Sequence, residues 1–177
     1  SIPEFYRVLK PGSHIYIFVD VAESSKIVEM MKKAGFDVRE IPLIWIKERP
    51  TYTDWEYKMM SQYESFLYAI KPMKDGGAPR RLLEASTDVF VYAREKERIH
   101  PTEKPVELIK RLITLSSNKH EIVLDPFGGS GSTVCAAMIT KRRCISCEKD
   151  EKFFKDAKIR IQNFMVNIPE DEIEDAD

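Results

Sequence analysis

The stretch from residue 123 to 137, "VLDPFGGSGSTVCAA", decides how this chain is read. An apolar run stops at Asp125, turns through Pro126 and a loop holding Gly128, Gly129 and Gly131, and opens onto small helix-forming residues. A strand, a glycine-rich turn and a helix in that order form a shape that cradles nucleotides. A phosphate-binding P-loop needs a Lys directly after its last Gly, but Gly131 is followed by Ser132 and Thr133. The dinucleotide fingerprint is met only in its first half, because Val134 stands where its third glycine belongs.

Charge narrows the ligand further. Asp125 sets a carboxylate where the strand enters the loop, and it would repel a pyrophosphate. A ligand with adenosine at one end and an ammonium at the other gains from that carboxylate through a charge-assisted hydrogen bond. S-adenosylmethionine has that layout and carries a positive sulfonium as well. A second acid, Glu148, closes the next strand about 20 residues on, the place from which an acid binds ribose hydroxyls in α/β nucleotide sites.

Around this loop, helix and strand patterns alternate, the mark of an α/β layer fold. Residues 3–9 read as a helix end stopped by Pro11 and Gly12, and 13–20 as a buried strand. Ile27, Met30, Met31 and Ala34 at helical spacing predict a helix over 23–36. Residues 37–48 and 63–71 read as strands joined by an aromatic loop, an antiparallel pair. Residues 71–99 are irregular, with a basic Gly- and Pro-containing surface loop at "KPMKDGGAPRR". The remaining pattern is helix 105–116, strand 121–125, helix 131–141, strand 143–148 and helix 150–166.

With 177 residues, 43% of them hydrophobic, the chain can bury one substantial core, and a single domain over 1–166 is expected. No apolar run approaches the roughly 20 residues of a membrane span, and no secretory signal is visible. Cys135, Cys144 and Cys147 are too few for a disulfide framework, which points to a reducing cytoplasm. Cys144 and Cys147 lie three apart on a strand, on opposite faces, so packing is favoured over metal binding. The net charge of -1 hides an asymmetry: residues 170–177 carry six acids, and the 28 bases against the remaining 23 acids leave +5. Residues 167–177 are accordingly read as an acidic, disordered tail on a mildly basic body.

The residues "HPTEKP" (100–105), an amphipathic helix, and then "DPFGGSGST" (125–133) together resemble the cofactor half of the amino-DNA methyltransferases, in the permuted motif order of their beta group. Many members of that group come from phages and restriction-modification systems. "EFYRVLKPGSHIYIFVD" resembles the helix and strand that follow the family's catalytic motif, and "YESFLYAIK" a later strand, so the likeness runs from residue 1 to about 163.

The resemblance implies a Rossmann-like, S-adenosylmethionine-dependent methyltransferase fold, largely parallel with one antiparallel hairpin. It also implies methylation of an exocyclic amine of DNA, adenine N6 ahead of cytosine N4. Asp125, Phe127, Gly129, Ser130 and Gly131 would line the cofactor's methionine and adenosine ends, and Glu148 its ribose. Thr102, Lys104 and Pro105 would approach the methionine moiety from the start of the next helix, whose free N–H groups suit a carboxylate. For DNA, the resemblance leaves Lys71, Lys74, Arg80 and Arg81 on the basic loop as contacts to the phosphate backbone. The aromatics of 45–68, Trp45, Tyr52, Trp55, Tyr57 and Tyr63, serve hairpin and core packing, with the base pocket or DNA as the alternative.

One departure matters. The family's chemistry uses an Asp, Asn or Ser followed by Pro-Pro and an aromatic, and the ten prolines here include no adjacent two. No catalytic residue is therefore assigned in this chain, and the expectation is that a preceding segment or a partner subunit supplies the motif. In the complete enzyme, the target base would be flipped out of the duplex and its amine methylated directly, with positioning as the main contribution. Two other readings stand beside this one: a noncatalytic cofactor- or DNA-binding module supporting an active subunit, and an NAD-dependent oxidoreductase, which Asp125 and Val134 oppose.

Overall fold

The computed structural model describes residues 1–51, 54–95, 99–100 and 102–168. Tyr52, Pro101 and the acidic residues of 170–177 lie outside them. The elements are α1 (Ile2–Val8), β1 (His14–Val19), α2 (Val21–Ala34), β2 (Asp37–Thr51), β3 (Ser61–Ile70), β4 (Val89–Val91), α3 (Val106–Ser116), β5 (Ile122–Asp125), α4 (Ser132–Ile139), β6 (Arg143–Ser146) and α5 (Glu151–Asn167). They group into two compact units, Ser1–Ala93 and the residues from Arg94 onward, where the sequence reading drew one domain.

The first unit is built on a four-stranded sheet in the order β1-β3-β2-β4. β3 runs antiparallel to both β1 and β2, and β4 joins β2 in parallel. The expected hairpin is thus β2 with β3, a further antiparallel pairing joins β1 to it, and the parallel β4 makes this sheet mixed. Pro42 and Pro50 have no amide to give a ladder, and each falls where the β2–β3 register shifts, between Arg39 and Leu43 and between Ile46 and Thr51.

Asp20 starts α2 two residues earlier than its apolar spacing foretells, because its Oδ1 accepts the Ala22 amide at 2.9 Å. Gly35, in the left-handed region at φ 101°, ends the helix by donating to the Lys32 carbonyl, and Phe36 donates to that of Met31. Met31, Val28 and Phe36 then pack with Ile2, Leu67 and Ala69 in the core of this unit.

The second unit is a β-α-β core flanked by helices. β5 and β6 pair in parallel, with Asp125 opposite Ser146. α3 packs against α4, and Leu108, Leu112 and Leu115 of the first and Cys135, Ala136 and Ile139 of the second are buried. Arg142 closes the end of α4, giving its guanidinium to the carbonyls of Thr140 and Ser117. Asp150 caps α5 through the amides of Lys152 and Phe153. Among the described residues no helix is long and apolar enough to cross a membrane.

Candidate functional site

The loop from Asp125 to Ser132 is held from three directions, and its sequence explains each. Asp125 Oδ1 accepts the Phe127 amide at 3.0 Å, which folds the chain back at Pro126, and Oδ2 accepts the Thr133 hydroxyl at 2.6 Å, which ties β5 to the first turn of α4. Gly128 donates to the Cys147 carbonyl at 2.7 Å, and Cys147 donates to that of Asp125 at 2.9 Å. A Cβ on Gly128 would overlap the Ser146 hydroxyl and stand 3.3 Å from the Cys147 carbonyl, so the loop lies close against the end of β6. Gly131 stands at φ 79°, in the left-handed region, and begins α4.

Glu148 comes to the same loop from the end of β6. Its Oε2 accepts the Gly129 amide and its Oε1 that of Asp150, both at 2.8 Å. These amides, Asp150's first, hold the carboxyl below its ordinary value, so it is an anion with oxygen lone pairs still turned to solvent. Phe127, on the same loop, is three-quarters exposed at 75%.

The third direction is "HPTEKP". The His100 ring packs on that of Phe153, with centroids 4.2 Å apart, and its Nδ1 accepts the Thr102 amide at 3.2 Å and lies 3.1 Å from the Thr102 hydroxyl. The same ring is 3.8 Å from where a Cβ on Gly129 would stand, so this segment borders the glycine loop. Lys104 reaches back to the Thr102 carbonyl at 2.6 Å, and Pro105 is the N-cap of α3.

Of the residues singled out in the sequence, Asp125, Phe127, Gly129, Gly131, Glu148, Thr102 and Lys104 converge here. Two others do different work. Ser130 is buried, its hydroxyl 3.1 Å from that of Ser132, and it offers the site backbone alone. Pro105 is also buried. The free N–H groups expected beyond it are partly taken, since the Val106 amide donates to Glu95 Oε1 at 2.9 Å.

In the other unit, Lys71 departs from its expected role. It is buried, and its ammonium donates to the carbonyls of Tyr6 at 2.6 Å and Leu9 at 2.7 Å, closing the end of α1 rather than meeting phosphate. Lys74 and Arg81 are exposed and Arg80 is half-buried. Trp45 is core, its indole N–H on the Tyr92 carbonyl at 2.9 Å, whereas Trp55 and Tyr57 are exposed. Sequence reading missed Thr133, Glu103 and Arg160. Thr133 is legible in retrospect, in the first turn of the helix that Asp125 faces.

The sequence profile described as "DNA methylase", for the N6- and N4-specific enzymes, matches residues 1–159. The chain belongs to the N6/N4 DNA methylase family. It is 32% identical to YubD of Escherichia coli K12 across 89% of its own length and 66% of that protein's. It is 26% identical to the type II methyltransferase M.HpaI of Haemophilus parainfluenzae across 92% of its length and 57% of that protein's. The chain therefore spans under two-thirds of these curated relatives. Among solved structures, M1.HpyAVI in complex with SAM superposes with a TM-score of 0.78 at 25% identity, covering 90% of this chain and 79% of that one. The cytosine-N4-specific PvuII DNA methyltransferase, at 16% identity and a TM-score of 0.72, shares the fold. The amino-DNA methylase family read from "HPTEKP" and "DPFGGSGST" and the methyltransferase fold are thereby established for this chain.

Proposed function

We propose that this chain binds S-adenosylmethionine in the loop between Asp125 and Ser132 and serves methylation of the exocyclic amine of a DNA base, adenine N6 being the first substrate to test. The observation that carries the reading is the pair of carboxylates, Asp125 and Glu148, both pinned by loop amides at the C-terminal ends of the adjacent parallel strands β5 and β6. The donor set fits this ligand better than a dinucleotide. Two anions face a cationic amino acid and a neutral ribose favourably and a pyrophosphate unfavourably.

Glu148 would accept the ribose hydroxyls, Phe127 would stack on the adenine ring, and Asp125 would face the ammonium. Thr102 and Lys104 would meet the methionine end, with Lys104 countering its carboxylate. Bound there, the cofactor supplies an electrophilic methyl group. The chain's own part is to orient that group and keep the loop in one conformation. No two prolines are adjacent in the 177 residues, so transfer is expected to need the catalytic tetrapeptide from another segment or subunit, and the chain alone to be inactive. The same absence is what favours the second reading, a noncatalytic module supporting an active partner.

DNA is proposed to meet Lys74, Arg80 and Arg81 on the basic loop, with the exposed Trp55 and Tyr57 as further contacts. Methyl transfer from labelled S-adenosylmethionine to duplex DNA, with and without a protein carrying the tetrapeptide, tests the whole. Incorporation only with the added protein supports the reading, and its absence in both, given cofactor binding, sinks the enzymatic part.

A further inference from the structure

Arg160 lies on α5, away from every motif read in the sequence, yet its Nη1 reaches three groups at once. It stands 2.8 Å from Glu103 Oε1, 3.2 Å from the Ser130 carbonyl and 3.1 Å from the Ser132 hydroxyl. Glu103 is the middle acid of "HPTEKP", and its side chain is fully buried. Its other oxygen accepts the Ile99 amide at 3.1 Å, and its own amide donates to the His100 carbonyl at 3.2 Å. Oε1 meets Nη1 off the hydrogen-bond axis and has no other partner among the described residues, so its attachment is the charge of Arg160.

A buried carboxylate is costly to keep unless its partner gives something beyond stability, since an apolar pair of equal volume often stabilises as well. Here the guanidinium joins two arms of the proposed site: Glu103, in the stretch 102–104, on one side and Ser130 and Ser132 on the other. Both arms are otherwise loops, and the bonds within each do not fix the distance between them.

We propose that Arg160 is a positioning residue of the cofactor site, which through Glu103 and the Ser130 carbonyl sets the spacing between "HPTEKP" and the glycine loop. The proposal rests on the cofactor reading above and adds to it the device that keeps the two arms at the span of a ligand touching both. A ligand that touches only the Glu148 and Phe127 side is indifferent to that spacing.

The test uses titration calorimetry of the chain with S-adenosylhomocysteine, which spans both arms, and with adenosine, which does not. Arg160→Met keeps the stem and removes the donor; Glu103→Gln keeps the shape and removes the charge. Both are compared with the wild type at a temperature where circular dichroism shows each folded. The expected result is a loss of about tenfold in S-adenosylhomocysteine affinity for each variant, the size of one charged contact, with adenosine affinity changed less than about threefold. Equal losses for both ligands, or no loss for either, would overturn the positioning role while leaving the cofactor site intact. A wild-type chain that binds neither ligand would overturn the cofactor reading itself, and this proposal with it.

Discussion

Glu148 Oε2 accepts the amide of Gly129 at 2.8 Å, so the acid proposed to take the ribose also fixes the loop under it. One side chain builds the site and, on the proposed reading, also takes part in it. Glu148→Gln leaves one acceptor oxygen for two amides, those of Gly129 and Asp150, and a loss of about tenfold in S-adenosylhomocysteine affinity is expected by calorimetry. Those amides also hold the carboxyl below its usual 4.5, so wild-type affinity should lose nothing to Glu148 between pH 8 and pH 5.

Gly131 and Gly76 both sit in the left-handed region, at φ 79° and 72°. A Cβ on Gly131 would stand 2.9 Å from Ile161 Cδ1, and one on Gly76 would meet nothing within 4 Å. Urea denaturation should show Gly76→Ala costing about 1 kcal/mol, the backbone penalty alone, and Gly131→Ala about 1 kcal/mol more.

Lys71 closes α1, and the exposed bases of the loop do not share that duty. Lys71→Met strands the carbonyls of Tyr6 and Leu9 and should lower stability by about 1–3 kcal/mol in chemical denaturation. Its DNA affinity should match the wild type. The double replacement of Lys74 and Arg81 by Ala should leave stability unchanged, weaken DNA binding uniformly across sequences and reduce the salt slope by about one per lost contact.

His14 bonds the Tyr68 hydroxyl through Nδ1 at 2.7 Å, and burial, the larger cause, holds its imidazole below the ordinary 6.5. The unfolded chain takes up the proton more readily than the folded one, so the contribution is complete above pH 6.5 and is lost as pH falls through the folded value. Melting temperature should therefore fall between pH 7 and pH 5, and His14→Gln should flatten that slope.

Thiol chemistry separates the cysteines. Burial pushes the Cys135 thiol up to about 11 and that of Cys144 to about 12, while Cys147 is exposed. Iodoacetamide at pH 8 should label Cys147 alone, read by peptide mass, because alkylation needs an accessible thiolate.

How much of this was legible follows the length of the patterns. Helices of two or more turns and strands of four or more residues announced themselves by apolar spacing and by Asp or Gly at their ends, as α2 and α5 show. β4, three residues after a Pro- and Gly-rich loop, is too short to carry a period, and it exists through its pairing with Ile44 to Ile46 of β2. At the site, Asp125 and Glu148 were readable because a loop and a strand end fix their places. Lys71 misled because a basic residue beside Pro72 reads alike whether it meets solvent or a helix end. Arg160 and Glu103 are far apart in sequence, and only the fold makes them neighbours.

The most direct test is calorimetric titration of the chain with S-adenosylmethionine, S-adenosylhomocysteine and NAD, repeated on Asp125→Ala. Binding of the first two, absent for NAD and lost or weakened about tenfold or more in the variant, is the expected result, since Asp125 is proposed to face the ligand's ammonium and anchors Phe127 and Thr133. Binding of NAD alone, or S-adenosylmethionine affinity untouched by Asp125→Ala, would contradict the account.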